Sequence, residues 1–128
     1  MAAPSKGAVG EVLAARFLRD KGYTLIASNY RCRHGEIDII ASKDGYIVFA
    51  EVKTRRESSL YAPREAVTVS KQRKILLTAS MFLATRPVEL QPRFDVVEVI
   101  TADDNPVSVV EINHIMGAYE SGGLDATF

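Results

Sequence analysis

The stretch GEIDIIASKDGYIVFAEVKTR, Gly35–Arg55, holds two β-rich runs around an Asp-Gly pair, and it sets Glu36, Asp38, Glu51 and Lys53 inside those runs. Asp44-Gly45 between alternating apolar residues is the signal of a two-residue hairpin turn. With that turn Lys43 faces Tyr46, and pairing continued in step puts Asp38 opposite Glu51 and Glu36 opposite Lys53. A four-residue loop keeps this register, whereas a three-residue loop would send Asp38 and Glu51 to opposite faces. One face of the hairpin then carries Ile37, Ile39, Ala41, Val48, Ala50 and Val52, an apolar surface suited to a helix.

The other face carries the chemistry. Carboxylates directly opposite each other, with Cβ atoms about 5 Å apart, repel unless a counter-charge offsets them. One hard divalent cation does so, because Mg²⁺ is commonly held by one or two carboxylates together with water and phosphate oxygens. Lys53 lies two residues after Glu51 and on the same face, where an ammonium orients water or neutralises charge growing on a phosphate. The trio reads as a phosphodiester-hydrolysis site; a buried ion pair with a spare carboxylate is the plainer alternative. Glu36 opposite Lys53 reads as an edge salt bridge rather than a further ligand.

Working outward, SKGAVGEVLAARFLRDKG predicts a helix, with Ser5 as its N-cap, Gly22 just past its end, and Val9, Val12, Leu13, Phe17 and Leu18 at helical spacing. Glu11 on this helix is surrounded by Gly7, Ala8, Ala14 and Ala15, so it either meets a polar partner on a packed surface or rims the helix. YTLIASNY predicts a strand before the hairpin. SKQRKILLTASMFLATR predicts a second helix after Ser70, ending before Pro87, with Ile75, Leu76, Ala79, Phe82 and Leu83 as its stripe. RFDVVEVI and VSVVEINHI predict two more strands across the turn-rich TADDNP. The order α-β-β-β-α-β-β implies one three-layer α/β/α domain over residues 1–116, with a central mixed sheet of about five strands and a flexible tail over 117–128.

Hydrophobic residues at 47% and charged residues at 25% place the chain with globular domains rather than disordered ones. Cys32 is the only cysteine, which excludes an internal disulfide and points to a reducing compartment. MAAPSKGAVGE has no apolar signal core and YIVFA is too short to span a bilayer, so a cytoplasmic protein without membrane association is expected. Cys32, His34 and His114 are too few for a four-ligand zinc site.

The net charge is zero, yet residues 1–75 carry fourteen Lys/Arg against eight Asp/Glu while residues 76–128 carry two against eight. That asymmetry permits a basic face for nucleic acid. Arg55, Arg56 and Arg64 fall in a loop predicted directly after the hairpin. Lys71, Arg73 and Lys74 fall in the first turn of the second helix, where cations oppose the helix dipole unless a phosphate is bound. A solvated charge run is the alternative for both groups, except that Lys71 lies one turn before Ile75 and is aimed at the site.

GEIDIIA followed by FAEVKTR, with GAVGEVLAARFLRDKGYTLIASNYR before and RFDVVEVI after, resembles the YraN-like family. These are small bacterial proteins of uncertain function within the PD-(D/E)xK nuclease superfamily, and the likeness covers roughly residues 7–100. It implies a restriction-endonuclease-like fold similar to archaeal Holliday-junction resolvases and RecB-type nuclease domains. By position Asp38 matches the superfamily's metal-binding aspartate, Glu51 and Lys53 its E-x-K, and Glu11 the helix-one glutamate; Ile37 stands where the motif's proline would be. RFD suggests a supporting role near the site for Arg93 and Asp95. A Mg²⁺- or Mn²⁺-dependent endonuclease acting on DNA, with branched or structured DNA as a candidate substrate, is expected, with metal at Asp38, Glu51 and Glu11, and with a homodimer favoured by the need to cut two strands. A nucleic-acid-binding scaffold without catalysis is the main alternative, and an interaction module using the acidic half a weaker one.

Overall fold

The computed structural model describes residues 6–61, 67–105 and 108–120. Helix α1 spans Lys6–Asp20, strands β1, β2 and β3 span Thr24–Cys32, Gly35–Lys43 and Tyr46–Arg56, and a 3₁₀ turn follows at Glu57–Tyr61. Helix α2 spans Val69–Thr85, and strands β4 and β5 span Gln91–Thr101 and Val109–Tyr119. The five strands form one sheet in chain order. β3 and β4 run parallel, joined by the α2 crossover that parallel neighbours require, and all other neighbours are antiparallel.

The hairpin forms as its turn chemistry predicts. Asp44 and Gly45 both take positive φ, +51° and +84°, and the ladder runs from Lys43↔Tyr46 to Ile39↔Ala50 in the expected register. Alternation then divides the apolar residues between two helices. Ile39, Ala41, Val48 and Ala50 join Val97 and Val99 under Ala14 and Leu18 of α1, while Ile40, Ile47, Phe49 and Phe94 pack under Ile75, Leu76, Ala79 and Phe82 of α2. A helix on each face of a mixed sheet is the three-layer α/β/α arrangement. On the α2 side Phe94 stacks between Phe49 at 5.6 Å and Tyr119 at 5.5 Å, an aromatic row across three strands that stiffens the sheet beneath the helix.

Several local expectations give way to packing. The buried face of α1 is Gly10, Ala14 and Leu18, whereas Val12, expected on the apolar stripe, is 59% exposed. The N-cap of α2 is Thr68, whose hydroxyl accepts from Lys71 N–H at 3.1 Å, and Ser70 lies inside the helix. Ile37 leaves the face of Ile39 and packs on the α2 side. Across from this stretch Asn29 of β1 takes a positive φ of +52°, while the β1–β2 register stays in step from Ser28↔Ile39 to Tyr30↔Ile37. Arg55 and Arg56, expected in a loop, end β3 opposite Ile100 and Thr101 of β4. Gly117–Tyr119 belong to β5, and the rest of the expected tail beyond Glu120 lies outside the described residues, as do Ser5 and Arg64.

α1 ends by a glycine-dependent motif: Gly22, at φ +96°, donates to the Arg19 carbonyl at 2.9 Å and Tyr23 N–H to that of Leu18 at 3.0 Å. Its other end is seated by Gly10, where a Cβ would overlap Thr54 Oγ1 of β3. Gly10→Ala should therefore destabilise the fold by about 1–2 kcal/mol, overpacking outweighing the helix propensity that alanine gains. Thr54→Ala in the same chain should restore most of the loss. Urea denaturation of the single and double variants measures both effects, and a Gly10→Ala protein as stable as the parent would refute so close a seat for α1.

Candidate active site at the parting of two strands

Ile39↔Ala50 is the last β2–β3 pair, so the two strands part just where the sequence places its carboxylates. The backbone beyond that point needs new partners, because unpaired buried N–H groups are costly. Asp38 provides one: Val52 N–H donates to its Oδ2 at 2.8 Å. The aspartate is thus built into the gap between the strands instead of standing in a ladder pair with Glu51.

The gap opens into a cavity of about 280 Å³ under the first turns of α2, with Asp38, Glu51, Lys71 and Lys74 around a floor that includes Phe49 and Ile75. β3 alternation turns Glu51, Lys53 and Arg55 toward the α2 side, in line with Ile47 and Phe49. Glu51 is mostly buried; its Oε1 pairs with Lys71 Nζ, and its Oε2 is buried with no hydrogen-bond partner. Lys53 stands partly buried beyond the cavity lining, its backbone opposite Glu98 of β4.

Four carboxylates converge here from three elements. Burial pushes the Asp38 carboxyl up to about 6, the Val52 hydrogen bond works against the rise, and the charges of Glu11 on α1, Glu51 on β3 and Glu36 on its own strand add to it. Asn29, which sequence reasoning passed over, ties two of them together. Turned so that its amide nitrogen faces both acceptors, it lies 3.1 Å from Glu11 Oε2 and 3.2 Å from Glu36 Oε1. Its residue type was the available hint, since Asn within a strand run tolerates the positive φ it takes here. Glu36 pairs with Arg31 on β1 at 3.4 Å, rather than with Lys53 as the extended register had implied.

The basic residues separate into different settings. Lys71 and Lys74 face the cavity, and Arg73 and Arg56 are exposed. Arg55 is engaged within the protein: its guanidinium lies 3.3 Å from the buried Glu98 carboxylate and donates to the Ser59 carbonyl at 2.7 Å. Arg93 and Asp95 serve the opposite face of the sheet. The wholly buried Asp95 meets Arg93 at 2.8 Å, His114 Nε2 at 2.7 Å and Gly117 N–H at 3.0 Å, and Arg93 also donates to Tyr23 Oη at 2.7 Å. Burial alone would raise the Asp95 carboxyl, but these hydrogen bonds outweigh it and hold it below the usual range. This network anchors the end of α1 to β4 and β5.

Among the described residues no three Asp, Glu, His or Cys side chains form a ready-made metal cage. The donor set nevertheless fits a hard cation completed by substrate: two carboxylates border one cavity, and one buried oxygen of Glu51 has no partner. The described helices include none long and apolar enough to cross a membrane.

The family model for the uncharacterised protein family UPF0102 matches residues 10–99. The chain belongs to this family. It is the YraN family named by the hairpin motifs. A UPF0102 protein of Symbiobacterium thermophilum is 52% identical over 99 residues, 77% of this chain and 84% of its own. One from Caldanaerobacter subterraneus is 41% identical over 114 residues, 88% of this chain and 93% of its own. Among solved structures, a repair endonuclease from Pyrococcus abyssi aligns at 18% identity and a TM-score of 0.35, over 91% of this chain and 43% of that one.

The raised Asp38 carboxyl has a defined consequence for stability in this UPF0102 protein. Its folded value of about 6 lies above the ordinary carboxyl value of 3.8. Below both values the group is protonated in both states and contributes nothing; as pH rises toward 6 the unfolded chain releases the proton first, and stability falls. Asp38→Asn retains an acceptor for Val52 N–H and removes the charge. In chelator the variant should match the parent near pH 4 and exceed it by on the order of 1–2 kcal/mol at pH 8, after discounting for solvent screening. Urea midpoints at the two pH values measure this, and equal stability at pH 8 would contradict a strained, ionised Asp38.

Proposed function

We propose that this UPF0102 protein is a Mg²⁺- or Mn²⁺-dependent endonuclease that hydrolyses phosphodiester bonds in DNA. The observation that carries the reading is the Asp38–Glu51 pair bordering one cavity, with a buried Glu51 oxygen left without a partner and Lys71 and Lys74 of α2 lining the same cavity. Carboxylates with an unmet electrostatic need and cations beside them suit a site that takes a divalent cation and a phosphate together. The motif order and the α/β/α frame support the same reading.

In this reading Asp38 and Glu51 would hold the cation, with Glu11 assisting from α1. The cation would supply charge neutralisation on the phosphate and activation of water. Asp38 keeps its position because Val52 N–H holds one oxygen. Lys53, two residues along β3 from Glu51, orients the attacking water and stabilises the charge that develops on phosphate oxygens. Lys71, Lys74, Arg73 and Arg56 contact the backbone of the nucleic acid, positioning it without reading its sequence. Branched or structured DNA is the proposed substrate class, and a homodimer would bring two such sites to two strands.

Cleavage of branched, single-stranded and duplex DNA with Mg²⁺ or Mn²⁺ tests this directly. Asp38→Asn and Lys53→Met should each lower the rate on the order of 10²-fold or more, while Lys53→Met retains DNA affinity. Absence of cutting by the parent protein on all three substrates, or equal cutting by the variants, would overturn the proposal.

A further inference from the structure

Lys71 is the feature of the site that cation binding and hydrolysis leave unexplained. It lies three residues after the Thr68 cap of α2, where a positive side chain opposes the helix dipole, and its ammonium nevertheless reaches Glu51 Oε1. The partners differ in exposure: the Glu51 side chain is 13% exposed and that of Lys71 50%. Releasing Lys71 therefore returns an already half-solvated ammonium to water at little cost. Removing it with nothing in its place would leave Glu51 buried, charged and beside Asp38.

A permanent structural bridge fits this geometry poorly. The ammonium uses one Glu51 oxygen and leaves the other buried and unpartnered, a costly arrangement for a carboxylate. It also carries one charge at a cavity that Glu36, Asp38 and Glu51 all line. A divalent cation would supply twice the charge, and Glu51 and Asp38 are the residues that would hold it. We propose that Lys71 is an exchangeable counter-ion: it occupies Glu51 while no cation is bound, leaves when the cation arrives, and then lies with Lys74 on the α2 wall as a contact for the substrate phosphate. Lys71 is a positioning residue in this scheme, and the cation and the lysine compete for one carboxylate. The inference rests on the metal-dependent reading above.

Competition makes a prediction that a structural or purely phosphate-binding lysine does not. In the absence of nucleic acid, Lys71→Gln should melt at a lower temperature than the parent in chelator, bind Mn²⁺ on the order of tenfold more tightly, and regain the parent's melting temperature at saturating Mn²⁺. Calorimetric titration and thermal melts read these quantities without any activity assay. Equal or weaker Mn²⁺ binding by Lys71→Gln, with the parent binding normally, would overturn the exchange while leaving the metal site intact. A parent protein that binds no Mn²⁺, with neither heat nor a shifted melt, would overturn the metal-dependent reading itself. Should the variant fail to fold, reductive methylation of the parent decides the matter: Lys71 should be labelled faster with saturating Mg²⁺ than with chelator, and equal rates would overturn the exchange.

Discussion

The site depends on one hydrogen bond, from Val52 N–H to Asp38 Oδ2. β2 and β3 pair as a regular hairpin up to Ile39↔Ala50 and then separate, and a parting inside a sheet leaves backbone donors that must be met. Meeting one with a carboxylate satisfies the backbone but buries a charge. That charge lies close enough to Glu11, Glu36 and Glu51 for all three to raise its proton affinity. A local solution to a backbone problem thus creates an electrostatic one, and the cavity beneath α2 is where it is expressed.

The two faces of the sheet treat buried polarity differently. On the α1 face Asp95 is enclosed by Arg93, His114 and Gly117, and its carboxyl is held below its ordinary range. Such a network fixes geometry without inviting a ligand. On the α2 face Glu51 has one ion pair and one orphaned oxygen, and Asp38 is pushed the opposite way. Asp38 on β2 and Asp95 on β4, with β3 between them, therefore shift in opposite directions because Asp95 is fully partnered and Asp38 is not. Stability is concentrated on one side, and unmet electrostatic demand, the mark of sites that act on ligands, on the other.

Much of this frame was legible in the chain. Asp44-Gly45 determined the turn, the turn determined the register, and period-two alternation assigned the apolar residues of β2 and β3 to two helices, because these are local consequences of φ, ψ and side-chain direction. The helices were legible from their spacing, and the nearness of Asp38 and Glu51, which line one cavity, from the hairpin register. Where the strands stop pairing was not legible. At that point Asp38 takes the Val52 N–H and α1 lies against Thr54 through Gly10, and the second of these joins elements far apart in the chain.

The same distinction governs the charged residues. The sequence by itself determined which residues carry charge, which strand face they share, and that two carboxylates and a lysine recur along one hairpin. Only the tertiary structure decided their partners: Arg55 turns to Glu98, Glu36 to Arg31, and Lys71 crosses from α2 to Glu51. Periodicity reports the direction in which a side chain leaves its own backbone. The partner it finds depends on how closely a second element approaches, and that distance is set by packing across the whole sheet.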